Sequence, residues 1–168
     1  MKNISRNQFI LKLKSLGLLL LIKPTSIMAQ SQQQQQRPSP LDPALVQEFV
    51  RLGHFDLENL KKRLTENPAL LNATTDWGGG DFESALGGAS HMGRRDIAEF
   101  LIRQGARMDI FTAAMMGQID LVKYMCDLYP ELMQCKGPHG ITLLMHAQKG
   151  GEQAKVVVEY LQQNGITK

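Results

Sequence analysis

Ser84-Ala85-Leu86-Gly87-Gly88-Ala89-Ser90-His91-Met92-Gly93-Arg94-Arg95-Asp96-Ile97-Ala98-Glu99-Phe100-Leu101-Ile102-Arg103-Gln104-Gly105-Ala106 carries the pattern that decides the fold. Leu86 and Ala89 stand seven and four residues before Gly93, a spacing of three that lines one helical face and ends at a residue suited to a left-handed cap. Asp96 follows, then Ile97, Phe100 and Leu101 at helical spacing. An acid before an apolar-periodic run marks a helix start, because its carboxylate accepts orphan N–H groups. The stretch predicts a short helix, a tight turn and a second amphipathic helix closed by Gly105.

The same register recurs on both sides. With Gly53, Gly93, Gly117 and Gly151 as anchors, Val46, Leu86, Ile110 and Leu144 stand seven residues earlier, and Phe49, Ala89, Ala113 and Ala147 four earlier. Asp56, Asp96 and Asp120 follow the first three anchors, each directly before Leu57, Ile97 or Leu121. The fourth unit fits with two residues inserted after Gly151, which brings Val157, Tyr160 and Leu161 into place and matches Gly165 to Gly105. Pro68 and Pro130 each end a second helix, with apolar residues beyond them that can fold back on the stack.

These residues resemble the ankyrin repeat, most closely over Ser84–Ala106 and again at Gly140-Ile-Thr-Leu-Leu-Met-His-Ala147. The resemblance covers residues 42–168 and implies an all-α, helix-turn-helix solenoid of about four units that serves as a protein-binding scaffold. The spacing departs from the family period of about 33: Gly53 to Gly93, Gly93 to Gly117 and Gly117 to Gly151 are all unequal. The third unit runs from Gly105 almost directly to Ile110, with no room for a hairpin finger, whereas the second has a swollen one, Asp76-Trp-Gly-Gly-Gly-Asp-Phe-Glu83. Asp42-Pro43 reads as an N-cap and first helical residue of a capping unit.

Residues 1–29 read as an export signal: a basic start, an apolar run from Leu16 to Ile22, Pro24, and Ile27-Met28-Ala29 before a cleavage point near Ala29-Gln30. The apolar run is too short for a stable membrane span. Ser5–Lys12 is similar to a twin-arginine motif with Asn7 in place of the second Arg, which leaves the export route open. Residues 30–41, rich in Gln and Pro, read as a disordered linker. The expected location is periplasmic or secreted, and the expected state a monomer.

The chain of 168 residues has a formal charge of +3, but Lys2, Arg6, Lys12, Lys14 and Lys23 all fall in the leader. Removing them from 19 basic residues leaves 14 against 16 acidic ones, which argues against a nucleic-acid partner. Its 43% hydrophobic content is that of a globular chain.

Four His residues invite a metal reading, but no pair has the i, i+4 spacing of a zinc helix and no two Cys lie close enough for a knuckle. No metal, cofactor or catalytic group is therefore expected. His54, directly after Gly53, reads as a structural hydrogen bonder; His91 and His139 are expected to face solvent; His146 lies on an inner helix. Cys126 and Cys135 leave both a disulfide and a buried thiol open. Gly78-Gly79-Gly80 is followed by Asp81, Phe82 and Glu83, acids that repel phosphate. Trp77 and Phe82, rimmed by these acids, fit a partner hot spot or a hairpin tip packed on a neighbouring helix.

The ankyrin resemblance places partner contacts at fingertips and before the Gly anchors. Carried onto this sequence it implies Trp77, Asp81, Phe82, Glu83, His91, Met92, Met115, Met116, His139 and Lys149 as the binding surface. The expected function is an exported, non-enzymatic protein-protein interaction module. The alternative is a small metal-dependent hydrolase using Asp81, Glu83, His91 and His139 along one groove.

Overall fold

The computed structural model describes residues 38–167. The expected export signal and residues 30–37 of the linker lie outside these residues. The described chain is mostly helical, with one small two-stranded sheet.

Among the described residues eight α-helices run in order: α1 (Pro43–Phe55), α2 (Leu57–Glu66), α3 (Ala85–Met92), α4 (Arg95–Arg103), α5 (Ile110–Met115), α6 (Ile119–Leu128), α7 (Leu143–Lys149) and α8 (Lys155–Gln163). Strands β1 (Thr74–Asp76) and β2 (Phe82–Ser84) pair antiparallel between α2 and α3. Helices α2 and α6 end just before Pro68 and Pro130, as expected; a 3₁₀ turn begins at each proline, and two more precede and follow α7.

Successive helices pack in pairs, α1 with α2, α3 with α4, α5 with α6 and α7 with α8. The first helix of each pair packs on the first helix of the next, α1 on α3, α3 on α5 and α5 on α7. Apolar residues at helical spacing bury against this contact: Phe49, Val50, Leu86, Ala89, Ala113, Leu143, Leu144 and Ala147 are all inside. Helix α5 has only six residues, and α3 also touches α7 across it. That shortcut brings the last pair against the second.

Asp42 caps α1 through Ala44 N–H, with Pro43 at its first position. Gly93 and Gly117 turn the chain with φ of +71° and +73°. Gly53 differs: it sits inside α1, where a Cβ would lie 2.4 Å from the Ala85 carbonyl oxygen, so it serves close helix packing rather than a turn. Asp56 caps α2 as expected, whereas α4 and α6 start two residues earlier than expected, at Arg95 and Ile119, which puts Asp96 and Asp120 inside their first turns. There they still complement the positive helix end.

Cys126 and Cys135 are free thiols. No helix among the described residues is long and apolar enough to cross a membrane.

Candidate metal centre

Period-two alternation in β2 turns Phe82 outward and Glu83 inward. Glu83 is 1% exposed while Phe82 is 61% exposed. A buried carboxylate demands partners, and four side chains supply them. Trp77 Nε1–H donates to Glu83 Oε2 at 2.7 Å. His54 Nε2 and His139 Nε2 each lie 3.4 Å from the same oxygen, and His91 Nδ1 lies 3.0 Å from Oε1.

Each imidazole comes from a different part of the chain. His54 ends α1, His91 ends α3, and His139 sits in the turn before α7. The seat for His54 is made by Gly88 of α3, where a Cβ would stand 2.7 Å from the His54 ring. His139 reaches the cluster with a backbone φ of +59°, the only positive φ of a non-glycine residue among those described. Such a conformation costs about 1–2 kcal/mol and persists where surroundings impose it. Here Asp81 of the hairpin imposes it: Oδ1 accepts the His139 backbone N–H at 2.9 Å and Oδ2 faces Nδ1 at 2.8 Å.

The outer partners fix the tautomers. Val50 C=O, 3.0 Å from His54 Nδ1, can only accept, so Nδ1 carries the proton and, in the neutral ring, Nε2 presents a lone pair. Asp81 imposes the same tautomer on His139. In neutral rings two lone pairs would therefore aim at one carboxylate oxygen. At Oε1 the approach of His91 Nδ1 is close but off-line, so neither atom has a hydrogen-bond partner although both are buried.

Acceptors converging on an anion require positive charge between them, either protons on the rings or a cation. Burial by itself would raise the Glu83 carboxyl, but the His54, His91 and Trp77 groups around it outweigh burial and hold it far below the ordinary carboxylate range. The Glu83 carboxylate in turn holds His54 above its ordinary value of 6.5, against the opposing effect of burial. His146, buried behind His91, is pushed down by desolvation, and its Nδ1–H donates to Thr142 C=O.

The ligand atoms of His54, Glu83, His91 and His139 all lie within 4.8 Å of one another. The two 3.4 Å separations of His54 and His139 Nε2 from Glu83 Oε2 match the edge of about 3.4 Å that a tetrahedron has when its metal bonds are about 2.0–2.1 Å. Three imidazoles and one carboxylate suit zinc or another late divalent transition ion; calcium and magnesium favour oxygen-only sets. Both His54 and His139 donate their other ring nitrogen outward, the arrangement that orients metal-binding histidines.

Over the cluster lies an open cavity of about 410 Å³ lined by Arg51, His54, Phe55, Trp77, Met92 and His139. Of the residues expected to bind a partner, Trp77, Asp81, Glu83, His91 and His139 are thus brought together, and Met92 borders them. His91 is buried rather than solvent-facing. Met115 is fully buried too, 0% exposed, because α5 is packed on both sides, so its expected place on the surface is corrected. Met116 is half-buried and its carbonyl accepts from Arg95. Lys149 is exposed away from the cluster's contacts. The sequence reading missed His54 as a member; Gly88 facing it, and the Gly137-Pro138-His139-Gly140 turn, are the signals that could have marked the site.

No family model, curated protein or solved structure matches the chain.

Proposed function

We propose that the chain is an ankyrin-type helix stack that binds a divalent transition-metal ion, with zinc as the reference ion, through His54, Glu83, His91 and His139. The observation that carries this is the convergence of ring nitrogens of His54, His91 and His139 on the buried Glu83 carboxylate, with the His54 and His139 rings each oriented by an outer acceptor. A cation at the common point answers all of these at once.

The acids favour binding over turnover. Asp81 uses both oxygens on His139, and Glu83 is enclosed by three rings and an indole. Neither is left to take a proton from a water, which weighs against the hydrolase reading. A second reading, recognition of a protein partner, draws support from the exposure of Phe55 (58%) and Met92 (48%) on the cavity wall and of Phe82 at the hairpin. Export directed by residues 1–29 remains part of the proposal.

The test is thermal unfolding of chelator-treated protein with and without zinc. At a free zinc concentration about a hundredfold above Kd, linkage adds about 2.7 kcal/mol, a rise of roughly 8–12 °C for a domain of this size. The His91→Gln variant should lose most of that rise. No zinc-induced shift, or an equal shift in the variant, refutes the proposal.

A further inference from the structure

The cavity over the cluster has an asymmetric lining. Phe55, Trp77 and Met92 give it apolar walls, and Arg51 is its one permanently charged lining residue. Arg51 stands three residues before His54 on α1, so the two share a helical face. It is exposed and takes part in no ion pair among the described residues. No acid lines the cavity: Asp81 is bonded to His139, and Glu83 lies beneath, bonded to Trp77. His54 and His139 belong both to the lining and to the proposed ligand set, so the metal's accessible side would face this space.

With a divalent ion below and a guanidinium at the rim, the cavity selects an anion. Its walls select what that anion is attached to. Phosphate and sulfate have no apolar part to place on Phe55, Trp77 and Met92, and an ammonium compound would meet two cations. A carboxylate matches the planar fork of an arginine and is an ordinary ligand of zinc, which can expand beyond four-coordination. The volume lies in the range of small-molecule sites.

We propose that this cavity binds a small organic acid with an aromatic or branched apolar body, its carboxylate held between Arg51 and the metal and its body against Phe55, Trp77 and Met92. The proposal rests on the metal-binding reading above.

Trp77 is the single tryptophan of the chain, so its fluorescence reports on the cavity wall directly. The full chain, first shown by its thermal shift to hold zinc, is titrated with phenylacetate, with acetate and 2-phenylethylamine as controls for body and charge. Phenylacetate should give a saturable change in Trp77 emission, and acetate and the amine should bind at least about tenfold more weakly. Arg51→Gln, a substitution at an exposed site, should weaken phenylacetate about tenfold or more while leaving the zinc-induced thermal shift intact, and removal of zinc with a chelator should weaken it comparably. Zinc binding without saturable phenylacetate binding overturns this proposal and leaves the metal reading standing. Equal binding of the amine, equal binding by the Arg51→Gln variant, or equal binding without zinc also overturns it. Absence of any zinc-induced shift removes both.

Discussion

Asp81→Asn tests the tautomer argument without touching a ligand atom. Asp81 now accepts two hydrogen bonds from His139, one from the backbone N–H and one from Nδ1–H, at 2.9 and 2.8 Å. An asparagine in the same place has one oxygen and one NH₂ group. If its oxygen keeps the backbone bond, its NH₂ faces Nδ1 and favours the tautomer with the proton on Nε2, aimed into the cluster. If it turns over, the backbone bond is lost instead. Loss of such an outer partner costs about 10–100-fold in metal affinity, or about 1.4–2.7 kcal/mol. Without metal the cost is smaller, since the two side chains are 30% and 35% exposed, and a pair screened to that degree contributes up to about 1 kcal/mol. Calorimetric titration of zinc into chelator-treated protein at pH 7.5, alongside thermal unfolding in chelator, separates the two effects. The expected result is an affinity drop of at least tenfold with a metal-free Tm within roughly 5 °C of the parent. An affinity within twofold of the parent would refute the claim that Asp81 sets the His139 tautomer for a metal.

Two further outcomes follow from the same geometry. In metal-free protein, Glu83→Gln removes the main cause of the raised His54 value, so a histidine NMR titration should show His54 titrating at lower pH in the variant. The sign for stability is fixed: raised His54 stabilises fully below its ordinary value of 6.5 and loses that effect as pH rises through the folded value, while lowered Glu83 stabilises above 4.5 and loses its effect as pH falls. The parent's advantage over the variant should therefore peak between about pH 4.5 and 6.5, and an advantage independent of pH contradicts it. Gly88→Ala places a methyl 2.7 Å from the His54 ring and forces that ring aside. Since Ala favours a helix interior by up to about 1 kcal/mol, the fold should tolerate the change while zinc affinity falls at least about tenfold. Unchanged affinity in a folded variant would remove His54 from the ligand set.

The paired helices were legible because their rules are local. Asp42-Pro43, Gly93 and the prolines at 68 and 130 act on neighbours within one turn, and the structure places caps, a left-handed turn and 3₁₀ turns there. Gly53 misled because a glycine required by a close helix crossing looks, in sequence, like one required by a turn. Met115 misled because α5 is packed between α3 and α7, which cover it on both sides. The cluster itself obeys no spacing rule. His54, His91 and His139 lie on three separate elements, and Asp81 meets His139 across 58 residues of chain. The packing of α1 on α3 brings His54 to His91, and the packing of α3 against α7 brings in the turn that carries His139.

In a row of helix pairs that touch only their neighbours, either end can fray while the middle holds. The contact of α3 with α7 already relaxes that independence, and the cluster extends it to the first pair, because it takes one imidazole from α1, another from α3 with the carboxylate of the adjoining β2, and a third from the turn that leads into the last pair. An ion seated there would act as a clasp, so that opening at one terminus must release the other. Amide exchange at both ends would then slow together on loading, and the missing finger of the third pair would be the omission that lets the clasp close.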